Sequence, residues 1–137
     1  MKKKFKSILL IDDNAADNRY NQIILEEMNI VDKIEIAESG VEALKMLKSD
    51  DHSQPDLILL DINMPKMNGW EFLEAYKKLG MDEKNKKIVV ILTTSMNPED
   101  RTKAGESSVV SEFNIKPLTP EMLKNLLEKY LPTNNNE

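Results

Sequence analysis

Three short apolar runs, each followed by a polar side chain, are the strongest constraint on how this chain folds. They occupy residues 7–11, 56–60 and 88–92, and they are followed by Asp12, Asp61 and Thr93. Continuous apolar runs of this length are typical of strands buried on both faces of a parallel sheet. Parallel neighbours need long crossovers, which are usually helices. The sequence therefore predicts strands that alternate with helices.

Helical patterns lie where those crossovers are expected. Apolar residues share one helix face within residues 20–28, 41–47 and 123–130. Helix starts are indicated by a capping box at Ser39, a similar pattern at Asn68, and a Thr119 cap before a proline. Weaker strands at 33–37 and 112–115, with a helix over 98–104, complete the pattern. We predict a doubly wound α/β domain with a five-stranded parallel sheet flanked by five helices.

Composition is used here to exclude whole classes of protein. The 137 residues are 40% hydrophobic and 31% charged, which is close to the average for globular proteins. A net charge of -5 argues against direct nucleic-acid binding, and the absence of cysteine excludes disulfides. No segment reaches transmembrane length, so we expect a cytoplasmic protein that does not bind membranes. We expect a basic N-terminal end at 1–6, one stand-alone domain over 7–131 and a disordered tail at 132–137.

The polar residues after the strands are the candidate site. Asp12 and Asp13, Asp61, Thr93 and Lys116 each follow a predicted strand. Ligands of a parallel α/β sheet bind beyond the carboxyl ends of its strands, so these side chains are expected to meet. Clustered carboxylates repel one another unless a cation is held, and oxygen ligands favour Mg²⁺. A carboxylate nucleophile, a metal and a lysine together suffice for phosphoryl transfer.

These residues resemble the receiver domain of two-component response regulators. The matching segments are residues 11–13, 60–65 with Gly69, 92–95 and 116–117. Each segment is weak alone, but their order and spacing together are specific, and the resemblance extends over residues 7–130. It implies a flavodoxin-like sheet with the strand order 2-1-3-4-5.

The resemblance also implies a phosphorylation site and a metal site. Asp61 would accept a phosphoryl group from a sensor histidine kinase or a phosphotransfer protein. Asp13, Asp61 and the main-chain carbonyl of Asn63 would bind Mg²⁺ directly, and Asp12 would act through water.

Further matched residues are implied to act after phosphorylation. Lys116 would pair with the phosphoryl oxygens, and the Thr93 hydroxyl would turn towards them. Thr93 is preferred because it directly follows the apolar run, although counting back from Lys116 favours Thr94. The preference for Thr93 therefore implies a one-residue insertion between Asn97 and Phe113. The ring of Phe113 occupies the position of the family's switching aromatic residue.

The implied function is a signalling switch that catalyses only its own phosphotransfer and dephosphorylation, and that signals by binding an unknown downstream protein. Two alternatives to this switch exist, and the sequence argues against both. A pseudo-receiver would bind its partner regardless of phosphorylation, against which the complete set of site residues argues. A haloacid-dehalogenase-type phosphatase also uses an aspartate nucleophile, Mg²⁺, a threonine or serine, and a lysine. In this chain, however, Asn63 occupies the position where that family carries a second acidic residue.

Overall fold

A computed structural model describes residues 4–49, 54–80 and 87–131, and within them five strands alternate with five helices. The elements in chain order are β1 (Phe5–Ile11), α1 (Ala15–Met28), β2 (Val31–Ala37), α2 (Gly40–Lys48), β3 (Leu57–Leu60), α3 (Gly69–Lys78), β4 (Ile88–Thr93), α4 (Pro98–Glu106), β5 (Glu112–Ile115) and α5 (Pro120–Tyr130). The tail predicted at 132–137 lies outside the described residues.

The strands form one sheet in the order β2-β1-β3-β4-β5, and every neighbouring pair is parallel. The predicted fold class and strand order are therefore confirmed. In the register, Ile11 lies beside Leu60, and Thr93 lies beside Ile115. This register brings the residues that follow β1, β3, β4 and β5 to the same edge of the sheet.

Each face of the sheet is covered by its own set of helices. Ile58 and Leu60 of β3 belong to a buried cluster that also contains residues of α2, α3 and α4. Leu57 and Leu59 point to the other face, in a cluster with residues of α1 and α5. Because alternate residues of a strand face opposite sides, burial of both faces requires an uninterrupted apolar run. The Leu57–Leu60 sequence satisfies that requirement.

The strand boundaries agree with the prediction to within two residues, and one difference matters. β1 begins at Phe5, so Phe5 and Lys6 belong to the sheet and not to a separate basic end as predicted. Phe5 is fully buried while Lys6 faces solvent, which is the alternation of a strand end. The lysines around Phe5 hid this alternation in the sequence.

Local capping explains where the helices that approach the candidate site begin. Asn68 accepts a hydrogen bond from the Glu71 N–H, and the Glu71 side chain accepts one from the Asn68 N–H, forming the capping box predicted for α3. Ser39 caps α2 by accepting from the Glu42 N–H, but the Glu42 carboxylate accepts from the Glu38 N–H. The predicted box at Ser39 is therefore only half formed.

Candidate functional site

Three aspartates come together at the carboxyl end of the sheet. Asp12 and Asp61 directly follow the paired strands β1 and β3, and the Asp61 N–H donates to the Ile11 carbonyl at 2.9 Å. Asp13 is exposed beside them, whereas Asp12 and Asp61 are buried. One carboxylate oxygen from each of the three lies within 4.8 Å of the others.

The chemistry of this donor set fits Mg²⁺. All three side chains offer only oxygen ligands, which this hard cation prefers. Asp13 faces solvent, so an ion held there can keep several of its waters, as Mg²⁺ commonly does. The predicted grouping of Asp12, Asp13 and Asp61 is present, and it can hold one small divalent cation.

Lys116 lies against the same cluster. Its ammonium nitrogen is 2.8 Å from Asp12 Oδ2, 2.8 Å from Asp17 Oδ2 and 3.8 Å from Asp61 Oδ2. The backbone N–H of Lys116 donates to the Thr93 carbonyl at 2.9 Å, which fixes the lysine at the end of β5, and the following Lys116–Pro117 peptide bond is cis. The ammonium group of Lys116 thus lies close to Asp61, but its hydrogen bonds go to Asp12 and Asp17.

Opposing influences set the pKa of these two groups. Burial raises the pKa of Asp61 above its usual value; the Lys116 charge lowers it, the Asp12 charge raises it, and hydrogen bonds from Asn63 and Thr93 lower it, leaving a net increase. Burial would lower the pKa of Lys116, but hydrogen bonds to Asp12 and Asp17 and the Asp61 charge raise it overall. Lys116 is therefore charged at neutral pH.

The threonine predicted to act at the site is buried next to Asp61. Thr93 is the last residue of β4, and its Oγ1 accepts from the Asn63 side chain at 3.4 Å and from the Ser95 N–H at 3.1 Å. The side chain of Thr94 is exposed. Of the two threonines, Thr93 is the one that contacts the site.

Gly69 allows the first turn of α3 to approach the residues that follow Asp61. The Gly69 N–H donates to the Ile62 carbonyl at 3.0 Å. A Cβ at this position would lie 2.6 Å from Ile62 Cα and 3.0 Å from the Asp61 carbonyl oxygen. Gly69, which belongs to the matched motif, therefore has a steric reason to be glycine at this position.

Phe113, the predicted switching ring, lies apart from the carboxylates on the edge strand β5. It is half-buried and packs against the cluster formed with α2, α3 and α4. The guanidinium of Arg101 lies 5.0 Å from the ring centroid, a cation–π contact between α4 and β5.

Two groups of contacting residues were not predicted from the sequence. Asp17, in the first turn of α1, is paired with Lys116. On the other side of Asp61, Ser95 Oγ donates to the Asp100 carboxylate, which also accepts from Trp70 Nε1 at 2.9 Å. Asp17 follows the predicted site residue Asp13 by four residues, in the first turn of α1, and this closeness in sequence is a signal that could have pointed to Asp17.

The chain is similar in sequence and in fold to known response regulators. Residues 8–128 match the family model of the response regulator receiver domain. Chemotaxis protein CheY1 of Helicobacter pylori is 33% identical over 93% of this chain and 98% of its own length. A two-component response regulator from Cytophaga hutchinsonii has a TM-score of 0.86 at 37% identity, covering 96% of this chain and 100% of its own. A phosphorylated cyanobacterial phytochrome response regulator, RcpA, has a TM-score of 0.76 at 31% identity, covering 95% and 96%.

Within the parts of the chain that the structure describes, no helix combines the length and the apolarity needed to cross a membrane.

Proposed function

This chain belongs to the response regulator receiver family, and on that premise we propose that it is a phosphorylation-dependent switch whose phosphoacceptor is Asp61. The observation that carries the proposal is the meeting of Asp61 with two further aspartates and a lysine at one edge of the sheet. A carboxylate oxygen of Asp61 attacks phosphorus, and the bond from phosphorus to the donor's leaving group breaks.

The side chains around Asp61 prepare it for this role. Its carboxylate is buried beside a negatively charged neighbour, so an added phosphoryl group needs positive charge close by. Lys116 supplies one positive charge 3.8 Å away. When bound by Asp12, Asp13 and Asp61, Mg²⁺ would neutralise the carboxylates and the incoming phosphoryl oxygens. The main-chain carbonyl of Asn63 is its proposed further ligand.

We assign the switch to Thr93 and Phe113. Phosphorylation adds about -1.5 to -2 charges and three strong acceptor oxygens. Thr93, being buried beside Asp61, can turn its hydroxyl towards those oxygens, whereas the exposed Thr94 is poorly placed to do so. The half-buried Phe113 ring is able to repack when Thr93 moves, changing the surface of α4, β5 and α5.

The partners follow from the same chemistry. We propose that a sensor histidine kinase or a histidine phosphotransfer protein supplies the phosphoryl group, and that the phosphorylated surface binds a downstream protein in the cytoplasm. Receiver domains are signalling proteins and not classical enzymes, so the only reactions assigned to this chain are its own phosphotransfer and dephosphorylation.

The test is phosphorylation of the purified protein by acetyl phosphate, followed by intact-protein mass spectrometry. We expect one hydroxylamine-labile phosphoryl group when Mg²⁺ is present and none when the metal is chelated. Asp61→Asn should abolish the modification, whereas Asp32→Asn, an exposed aspartate of β2, should leave it unchanged. An unmodified wild-type protein would refute the proposal and favour a pseudo-receiver.

A further inference from the structure

The ammonium group of Lys116 is already occupied by two carboxylates other than Asp61. It donates to Asp12 Oδ2 and to Asp17 Oδ2, each at 2.8 Å, while Asp61 Oδ2 is 3.8 Å away. Two of the three donors of the ammonium group are directed at these carboxylates. Lys116 is therefore held near Asp61 without a direct hydrogen bond to it.

The two bonds of Lys116 differ in how easily they are exchanged. The Asp12 side chain is 5% exposed and that of Asp17 is 40% exposed. Breaking a buried charge pair leaves an uncompensated charge in a poor solvent, whereas water readily solvates a carboxylate released at the surface. The bond to Asp17 is consequently the one that Lys116 can give up at the lower free-energy cost.

Asp17 is held in place by its own helix. The Asp17 N–H donates to Asn14 Oδ1 at 3.0 Å, as part of the N-cap of α1. The helix follows β1 after a connection of only three residues, so Asp17 stays at the edge of the sheet where Asp12 and Asp61 lie. The backbone of Asp17 is thus fixed beside Lys116, which keeps its carboxylate within reach of the ammonium group.

We propose that Asp17 is a positioning residue that competes with the phosphoryl group on Asp61 for Lys116, and so opposes phosphorylation. This inference rests on the proposed function of Asp61. Before phosphorylation, Lys116 bridges Asp12 and Asp17. After phosphorylation, Lys116 keeps Asp12, releases Asp17 to water and donates to a phosphoryl oxygen. Asp17 also adds a negative charge beside Lys116, the residue whose positive charge must offset the charge of the phosphoryl group.

The first experiment compares the rate constants for phosphorylation by acetyl phosphate at saturating Mg²⁺, followed by intact-protein mass spectrometry. We expect Asp17→Asn to react about two- to fivefold faster than wild type, the range expected for loss of a partly exposed ion pair. Asp17→Glu keeps the carboxylate and should return the rate towards wild type. The matched control is Glu121→Gln, an exposed acidic residue in the first turn of α5, which should react as wild type does.

The second experiment tests the ion pair without phosphorylation. A double-mutant cycle of Asp17→Asn and Lys116→Gln, followed by urea unfolding, should give a favourable coupling between the two residues. The same cycle with Glu121→Gln in place of Asp17→Asn should give none. A purely local role of Asp17 in the first turn of α1 would change stability but would produce no coupling to Lys116.

The outcomes separate this inference from the proposed function. A wild-type protein that acetyl phosphate cannot modify would overturn both. A modified wild type with Asp17→Asn as slow as Glu121→Gln, or slower, would overturn only the role of Asp17. Absence of coupling between Asp17 and Lys116 in the double-mutant cycle would also overturn the role of Asp17, whatever the phosphorylation rates.

Discussion

Asp61 lies between two sides of the site that are built from different interactions. On the side of α1 and β5, the contacts are between full charges, with Lys116 joining Asp12 and Asp17. On the side of α3 and α4, a chain of hydrogen bonds leads from Thr93 through Ser95 to Asp100 and Trp70. We call these the charged side and the hydrogen-bonded side.

The comparison indicates that the two sides respond to different events. Interactions between close charges depend on the net charge around Asp61, so the charged side should respond to a bound cation or to a phosphoryl group. The hydrogen-bonded side depends on the position of the Thr93 hydroxyl, because hydrogen bonds weaken steeply with misalignment. That side ends at Trp70, on the wall of a cavity of about 570 Å³ that is also lined by residues of α4. Movement of Thr93 therefore has a short route to the surface between α3 and α4.

The largest expected difference between the two sides is in stability. Lys116→Gln leaves the buried Asp12 carboxylate without its cation, so we expect the free energy of unfolding to fall by about 2–3 kcal/mol. Urea unfolding at neutral pH without Mg²⁺ measures this change. Lys124→Gln, an exposed lysine of α5, serves as the control and should change stability little. An equally small loss for Lys116→Gln would mean that the charged side contributes nothing to the fold.

The next effect is the response to metal. Mg²⁺ at ten times its dissociation constant should raise the free energy of unfolding by about 1.4 kcal/mol, since binding to the folded state alone stabilises it. Asp13→Asn removes one of the three grouped carboxylates and should greatly reduce this gain at the same concentration. Ser95→Ala, on the hydrogen-bonded side, should retain it. If Mg²⁺ stabilised Asp13→Asn as much as wild type, the metal would have to bind at another site.

A smaller effect is expected on the hydrogen-bonded side itself. Ser95→Ala removes the hydroxyl that donates to Asp100, and we expect a loss of about 1 kcal/mol in the free energy of unfolding. Because Trp70 is the only tryptophan, its fluorescence should also change when Asp100 reorients. Thr102→Ala, which removes an exposed hydroxyl that donates within α4, is the control and should leave the emission of Trp70 close to wild type. An unchanged spectrum in Ser95→Ala would show that the chain of hydrogen bonds does not reach Trp70.

The smallest effect is the pH dependence contributed by Asp61. The pKa of Asp61 is higher in the folded than in the unfolded protein. Between these two pKa values, the folded state therefore binds more protons than the unfolded state does. Wild type therefore loses stability as the pH rises through that interval, and Asp61→Asn does not incur this loss. Without Mg²⁺, we expect Asp61→Asn to be the more stable protein at neutral pH, with the difference shrinking as the pH falls through the raised folded pKa and disappearing by about pH 4.

Urea unfolding across this pH range provides the measurement, with Glu121→Gln as a control for a surface carboxylate. A difference between wild type and Asp61→Asn that grows as the pH falls would contradict the assignment of a raised pKa to Asp61.

The fold could be predicted because its signals are local. The residues of β3 are apolar without interruption, and Asn68 and Glu71 mark the start of α3 within four residues. Strand ends then determine which polar residues meet, which is why Asp12, Asp61 and Thr93 can be grouped from the sequence. β1 was placed two residues late because Lys4 and Lys6 flank the buried Phe5 and obscure the apolar run.

The remaining contacts of the site could not be predicted because their signals are ambiguous or distant. An aspartate in the first turn of a helix, such as Asp17, is equally well explained by its favourable interaction with the helix dipole. Trp70 and Asp100 are 30 residues apart, on helices whose relative position is set by packing on the sheet. Nothing in the sequence indicates that the ammonium group of Lys116 bonds to Asp12 and Asp17 and not to Asp61.

Reduction of the acyl phosphate tests most directly whether one carboxylate, that of Asp61, carries the phosphoryl group. Borohydride converts a phosphorylated aspartate into homoserine, and peptide mass spectrometry then identifies the position. After incubation with acetyl phosphate and Mg²⁺, we predict homoserine at position 61 alone. Homoserine at position 12 or 13, or at no position in a protein that carries phosphoryl, would contradict the account.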